Sequence, residues 1–498
     1  MVKPKFIGAQ PTGQTARAPR LALAAVALTI ACGSGDTVFT GADAQPRPNI
    51  IFLMSDDQSY GTMQHHGEPW MQTPGMDRLA AEGAHFTRAF VTTSLCSPSR
   101  ASFLSGRWAR SHGVLDNQTE LPSDLPTFAS ELSAAGYDTA YVGKWHMGAQ
   151  QERPGIDHSA SYIEQGMYRD SVFEVNGERV ETEGWVDDVA TDYALEFLRE
   201  ARDAPFLLVV GFKSAHEPFH PAKRLLDLYE GATLAPPPNI AAIPPYPRFR
   251  ELNTLSEKGV QRNPYGVPEN WLGLLGSARK MRRPEDIENW LNPLRRAYNQ
   301  LIAGIDENVV RILETMDELG LTENTIVVYT SDNGLCIGAH GTFVKRAAYE
   351  ESIRIPLLVR YPPLIGPGTS VDALALNVDV APTLLELAGV AAPSAMQGRS
   401  LVPLLEGREV AWRTSFVYEN FYESPFETPT LYALRTETWK LIEYPGFPGW
   451  TEFFHLAEDP HETENLAASE EHAATLASLR AELAKRERGI GPRPPGFE

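Results

Sequence analysis

The chain alternates short, wholly apolar runs with longer segments of helical period. The apolar runs are Asn49 to Met54 (NIIFLM), Asp138 to Val142 (DTAYV), Phe206 to Phe212 (FLLVVGF), Thr325 to Thr330 (TIVVYT) and Pro356 to Arg360 (PLLVR). Runs of this length, without polar alternation, suit strands buried on both faces. Between them, Pro126 to Ala135 and Val189 to Ala201 show helical patterns, and Ile305, Val309, Ile312, Met316 and Leu319 share one helix face. This alternation predicts an α/β fold, a mostly parallel sheet sandwiched by helices. Beyond residue 390 the pattern changes. Short apolar runs at Leu431 to Ile442 and Thr451 to Leu456 precede a terminal amphipathic helix marked by Leu476, Leu479 and Leu483. They predict a smaller C-terminal α+β subdomain over 391–498, beside a main domain over 45–390.

Residues 217–300 interrupt the rhythm. Pro236-Pro237-Pro238 and Pro244-Pro245-Tyr246-Pro247 exclude interior helix or central strand there. Arg279, Lys280, Arg282 and Arg283 form a basic cluster in the same insertion, read either as a roof over a site or as a solvated loop.

At the other end, Arg17 and Arg20 precede the apolar run Leu21 to Ala31, which is too short for a stable membrane span. Residues 1–44 therefore read as an export signal, with cleavage after Ala42-Asp43-Ala44 or lipidation at Cys32. The expected location is periplasmic or secreted, or anchored as a lipoprotein. The remaining cysteines, Cys96 and Cys336, make no disulfide framework. With 44 Lys and Arg against 64 Asp and Glu, the formal charge is −20. That excess argues against a general nucleic-acid binder. It leaves room for an anionic substrate held by a few local cations.

Chemistry sits at the strand ends. The first strand runs into Ser55-Asp56-Asp57, the second into Gly143-Lys144-Trp145-His146, the third into Lys213-Ser214-Ala215-His216 and the fourth into Ser331-Asp332-Asn333-Gly334. Open α/β sheets bind ligands along their carboxyl edge. Asp56, Asp57, Asp332 and Asn333 are oxygen donors suited to a hard divalent cation, Ca²⁺ or Mg²⁺, whereas Zn²⁺ would recruit more His or Cys. Each pair taken alone is also an ordinary cap or turn. Lys144 and His146, one residue apart, point the same way in extended chain. Taken singly, His146 and His216 read as structural histidines and Lys345 as a solvated lysine; His340, between glycines, reads as a loop residue.

A further stretch is Leu95-Cys96-Ser97-Pro98-Ser99-Arg100-Ala101-Ser102-Phe103-Leu104-Ser105-Gly106-Arg107. Pro98 suits a first helical turn and Gly106 a helix exit. Cys96 would then sit just before a helix N-terminus, which favours an anion, with Arg100 one turn along. A buried free thiol on a loop is the plainer alternative.

Together these segments resemble the motifs of the formylglycine-dependent sulfatases, in family order across the mature chain. Gly338 to Lys345, Tyr349 to Pro356 and Asp459 to Leu466 belong to the same resemblance, and Ser105 stands where many relatives carry Thr. The resemblance implies an alkaline-phosphatase-like fold. It implies that a formylglycine-generating maturation enzyme oxidises Cys96 to an aldehyde, whose hydrate attacks sulfur. Asp56, Asp57, Asp332 and Asn333 would hold one Ca²⁺, completed by modified Cys96. Arg100 would stabilise the ionised nucleophile, and Lys144 and Lys345 would hold sulfate oxygens. His216, with Lys345, would protonate the leaving alcohol, and His146 would take the proton that releases sulfate.

Val172 to Gly177, Glu183 to Trp185, Thr191 to Ala194 and Gly389 to Leu405 are similar to the N-acetylglucosamine-6-sulfatase branch. That similarity implies an exo-acting enzyme on a sulfated carbohydrate. A phosphate or phosphonate ester hydrolase on the same scaffold, and a glycan-binding protein with unmodified Cys96, are the competing readings.

Overall fold

A computed structural model describes residues 47–66, 70–148, 153–232, 234–242, 291–423 and 429–497. The export segment with Cys32, and the basic cluster Arg279 to Arg283, lie outside the described residues. All five apolar runs form strands of one ten-stranded sheet. In chain order its strands are β1 (Asn49–Ser55), β2 (Ala84–Phe86), β3 (Asp138–Gly143), β4 (His158–Tyr162), β5 (Val172–Val175), β6 (Glu178–Glu181), β7 (Phe206–Gly211), β8 (Thr325–Ser331), β9 (Leu357–Arg360) and β10 (Thr369–Val371). Their order across the sheet is β10-β2-β9-β8-β1-β7-β3-β4-β5-β6.

The strands from β8 to β4 are all parallel. β9 runs antiparallel to both its neighbours. At the far edge β5 and β6 form an antiparallel hairpin closed by Asn176 and Gly177, with φ values of 49° and 86°. Two left-handed residues are what a type I′ turn requires.

Side chains alternate across the central strands, so each face buries its own layer. Ile50, Phe52 and Met54 of β1 pack with Phe103 of α2 (Cys96–Ser105), with Phe128 and Leu132 of α3 (Phe128–Ala134) and with Leu384 of a short helix at Val380–Leu387. The Phe52 ring lies 5.8 Å from both Phe103 and Phe128. Ile51 and Leu53 point the other way, into a layer built by α1 (Pro74–Glu82), α4 (Val186–Arg199) and α5 (Asn292–Glu318). The stripe Ile305, Val309, Ile312 and Met316 is fully covered there, while Leu319 follows the helix end and is exposed. Among the described residues no helix is long and apolar enough to cross a membrane.

The chain ends in a separate antiparallel sheet of Ser415–Asn420, Leu431–Thr436, Trp439–Glu443 and Glu452–His455. Val417, Leu434, Leu441 and Phe453 on one face bury Leu476 and Leu483 of the terminal helix Ala473–Ile490. Phe416, Tyr418, Ala433, Ile442 and Phe454 on the other face join the main core.

Gly143 links this packing to the site. Its φ is +84°, and a Cβ there would stand 2.0 Å from the Gly211 carbonyl oxygen. That oxygen accepts the Lys144 N–H at 2.7 Å. Gly143→Ala should therefore destabilise the protein by more than ~2 kcal/mol, through strain plus a broken strand contact. Gly177→Ala, at φ +86° in open space, should cost only about 1 kcal/mol. Urea midpoints of the two variants measure the difference.

Candidate active site

The parallel order places four strand ends side by side. β8, β1, β7 and β3 are neighbours, so Asp332-Asn333, Asp56-Asp57, Lys213 to His216 and Lys144 to His146 leave the sheet along one edge. Main-chain bonds continue the ladder past the strands: Asp332 N donates to Ser55 O at 3.1 Å, Asp56 N to Ser214 O at 2.8 Å and Ala215 N to Asp56 O at 2.6 Å.

Cys96 is the first residue of α2 rather than the one before it, a one-residue difference at a helix end. Every residue of α2 is buried. Its hydroxyls find partners, as buried polar groups must: Ser99 Oγ accepts from Asn377 at 3.2 Å, Ser102 Oγ meets His112 at 3.0 Å and Ser105 Oγ donates to Ala101 O at 2.6 Å. Gly106 closes the helix in the left-handed region. One first-turn N–H is already used, since Ser97 N donates to Asn117 Oδ1 at 3.1 Å.

The structure brings the residues proposed for catalysis and metal binding together around Cys96. Cys96 Sγ lies 3.6 Å from Asp56 Oδ1, 3.7 Å from Lys144 Nζ and 2.9 Å from Lys345 Nζ. Lys345 Nζ also donates to both Asp57 oxygens, at 2.8 and 2.9 Å, and Lys144 Nζ contacts Asp56 Oδ2. Arg100 Nε donates to Asp332 Oδ2 at 2.8 Å and its Nη1 to the Lys144 carbonyl at 2.8 Å. Asn333 Nδ2 donates to Asp57 Oδ1 at 2.6 Å. His216 Nε2 stands 3.9 Å from Asp57 Oδ2. His146 packs against Ser97, with Nδ1 3.4 Å from its Oγ, and its Nε2 lies 2.9 Å from the Gln165 amide. His340, left as a loop residue, stacks on Tyr349 at 3.7 Å and bonds Asn239, away from this cluster.

Burial sets the electrostatics. It pushes Asp332 up to about 7, with Asp56 adding repulsion that Arg100 only partly offsets. At Asp56 burial works in the same direction, but Lys144, His216, Arg100 and Lys345 outweigh it and hold the carboxyl well below its usual range. Burial, then Lys144, keeps His146 neutral, and burial, then Lys345, does the same for His216. Burial drives the Cys96 thiol up to about 12, despite the two lysines. Oxygens of Asp56, Asp57 and Asp332 converge within 4.8 Å, a group able to hold a metal ion.

Residues 48–390 match the family described as Sulfatase. The chain belongs to the sulfatase family. It is by that membership a sulfuric ester hydrolase. Residues 338–489 match the C-terminal region of N-sulphoglucosamine sulphohydrolase. The N-acetylglucosamine-6-O-sulfatase of Bacteroides thetaiotaomicron is 34% identical, over 87% of this chain and 85% of its own length. A solved structure of a protein in complex with its substrate, D-glucosamine-2-N,6-O-disulfate, is similar with a TM-score of 0.79 at 32% identity, covering 89% of this chain and 98% of that one. Phosphonate monoester hydrolase of Agrobacterium radiobacter has a TM-score of 0.73 at 22% identity, over 89% and 96%; that likeness concerns the fold alone.

Several residues of this sulfatase site gave no signal in the sequence. Asp187, buried at the start of α4, accepts from Lys213 N and Ser214 N. Lys213 Nζ donates to Gln165 O at 2.8 Å, which ties the Gln165 segment to the strand end. Glu423 pairs with Arg346 and accepts from Asn117 N at 2.9 Å, steadying the loop behind Ser97. An acidic residue in a first helical turn reads as a cap, so only three-dimensional placement distinguishes Asp187.

Unmodified Cys96 should be chemically inert while the protein is folded. At about pH 8 a thiol so shifted holds only ~10⁻⁴ thiolate, and the side chain is fully buried. Iodoacetamide should leave the Cys96 peptide unlabelled in native protein and label it after denaturation, as read by peptide mass spectrometry.

Proposed function

We propose that the chain is an exported sulfatase acting on sulfated sugars of the glucosamine 6-sulfate type, with Cys96 in its formylglycine form and one Ca²⁺. The observation that carries this reading is the meeting of Cys96, three aspartates, Asn333, Arg100, Lys144 and Lys345 in one buried cluster. The metal reading has its own support. Among the described residues Asn333 Oδ1 is buried without a hydrogen-bond partner, beside the three converging carboxylates. This all-oxygen donor set fits Ca²⁺. Asp56, Asp57, Asp332 and Asn333 would hold the ion, together with modified residue 96. Once present, the ion and the formylglycine hydrate supply Lewis-acid charge and a nucleophilic hydroxyl.

The chain's own side chains account for the remaining work. Lys144 and Lys345 flank Cys96 and present ammonium groups to the oxygens of an incoming sulfate ester. Arg100, fixed between Asp332 and the Lys144 carbonyl, supplies a permanent positive charge beneath residue 96. His216 Nδ1 donates to the Glu217 carbonyl at 2.5 Å. Its Nε2 therefore carries a transferable proton only as imidazolium, a form that an anionic ester beside it favours. His146, packed against Ser97 beside Cys96 and neutral, would accept the proton whose removal releases sulfate.

Two further lines support the sugar and the location. Likeness to N-acetylglucosamine-6-O-sulfatase extends over 87% of the chain. Two arginines followed by an eleven-residue apolar run support export.

The test has two arms. Protein from its own host should yield a Cys96 peptide lighter by about 18 Da, the change from thiol to aldehyde, which lies off the ordinary thiol oxidation ladder. That protein should release sulfate from N-acetylglucosamine 6-sulfate and leave the matching phosphate ester largely uncleaved. Cys96→Ala should lower turnover at least ~10³-fold. A plain thiol with no turnover would favour the glycan-binding reading, and preference for the phosphate ester would favour the phosphohydrolase reading. Removing divalent ions with EGTA should abolish turnover, and added Ca²⁺ should restore it.

A further inference from the structure

Asp187 is a fully buried carboxylate outside the reacting cluster. It stands in the first turn of α4, where a carboxylate ordinarily caps its own helix. It instead reaches across to the strand end after β7. Oδ1 accepts from Lys213 N at 2.7 Å, and Oδ2 accepts from Ser214 N at 3.2 Å and from Ser214 Oγ at 2.5 Å. Among the described residues this carboxylate makes no ion pair. A buried charge without a countercharge is expensive, and three hydrogen bonds from one turn are its compensation.

The turn it grips leads directly to His216. His216 N donates to Lys213 O at 3.1 Å, so the imidazole is referenced to the residue that Asp187 holds. The inner side of the turn is fixed by Asp56, through Asp56 N to Ser214 O and Ala215 N to Asp56 O. The outer end is fixed by Tyr168, whose hydroxyl donates to His216 O at 2.5 Å. Asp187 is thus the side-chain anchor at the start of the turn. Without it, the Lys213–Ser214 backbone keeps two N–H groups that lack acceptors and must shift to find them.

We propose that Asp187 is a positioning residue that aims His216 at the leaving oxygen of the sulfate ester. This rests on the reading of His216 as the proton donor to that oxygen. The consequence depends on the leaving group. An aryl oxide departs without a proton, whereas a sugar alkoxide needs one. Misaiming His216 should therefore impair sugar sulfates and spare activated aryl sulfates. A defect in general folding or in sulfate binding would impair both.

The experiment compares kcat/KM, which reports the first S–O cleavage, for N-acetylglucosamine 6-sulfate and 4-nitrophenyl sulfate. Asp187→Asn should lower the sugar value by roughly 30- to 100-fold, as expected for a displacement of about 1 Å. It should change the aryl value by less than about 3-fold, since that cleavage needs no proton donor. Ser214→Ala, which removes only one of the three bonds, should show the same selectivity at about 3- to 10-fold. It decides the matter should Asp187→Asn not fold. His216→Ala is measured in the same series. If it is selective while Asp187→Asn and Ser214→Ala lower both substrates equally or neither, the positioning role is overturned. If His216→Ala is itself unselective, the proton-donor reading falls, and this proposal with it.

Discussion

The site depends on one constraint: a group of charges is held out of water and must balance locally. Asp56, Asp57 and Asp332 face Arg100, Lys144 and Lys345, all of them buried. Three carboxyl groups and three basic groups can share so small a volume because each is bonded to one of the other kind. Arg100 takes Asp332, Lys345 takes Asp57 and Lys144 takes Asp56. Losing one member would strand its partner in a low-dielectric interior, the arrangement that destabilises most. The same balance leaves the cluster receptive. A divalent cation and an anionic ester bring opposite charges, and both kinds of partner already wait for them.

The sheet makes the balance possible. Charges brought together from positions 56, 100, 144, 332 and 345 are far apart in the chain. They converge because four neighbouring parallel strands end at one edge and because α2 is buried along its whole length. The C-terminal sheet contributes as well. Tyr418 OH bonds Ser94 Oγ at 2.6 Å, two residues before Cys96. Glu423 holds Arg346, the residue after Lys345. The smaller sheet and the loop that follows its first strand therefore brace both segments that carry Cys96 and its nearest lysine. Its inner face buries Phe416, Tyr418, Ala433, Ile442 and Phe454 in the main core and pairs the buried Arg435 and Lys440 with Glu350, so it joins that core rather than hanging from a linker.

Strand positions and strand-end chemistry were legible because fully buried strands leave uninterrupted apolar runs and the residues that follow the four parallel ones fall on one edge. The outer hairpin was not read as sheet, although Asn176-Gly177 between VFEV and ERVE is a strong hairpin signal. Its strands are half exposed, so no long apolar run marks them. The antiparallel course of β9 was also hidden, since a five-residue apolar run has no direction. Asp187 and Asn117 escaped for a different reason. They act through main-chain groups of distant segments, and a side chain that bonds a backbone leaves no recognisable partner in the sequence.

Burial of Cys96 constrains when its chemistry can be installed. The side chain is closed off by α2, Lys144, Lys345 and Asp56, and its thiol is held almost wholly protonated. An enzyme that oxidises Cys96 would need access to its sulfur, which the folded site does not offer. Opening it would mean withdrawing α2 from a core that includes Phe52, Phe103 and Phe128, which amounts to unfolding the domain. On the proposed reading, conversion of Cys96 would therefore have to precede closure of the sheet around α2. The short segment Leu95 to Arg107 would then serve twice: first as an unfolded substrate of the proposed modifying enzyme, and afterwards as the buried helix that fixes the charges of the site.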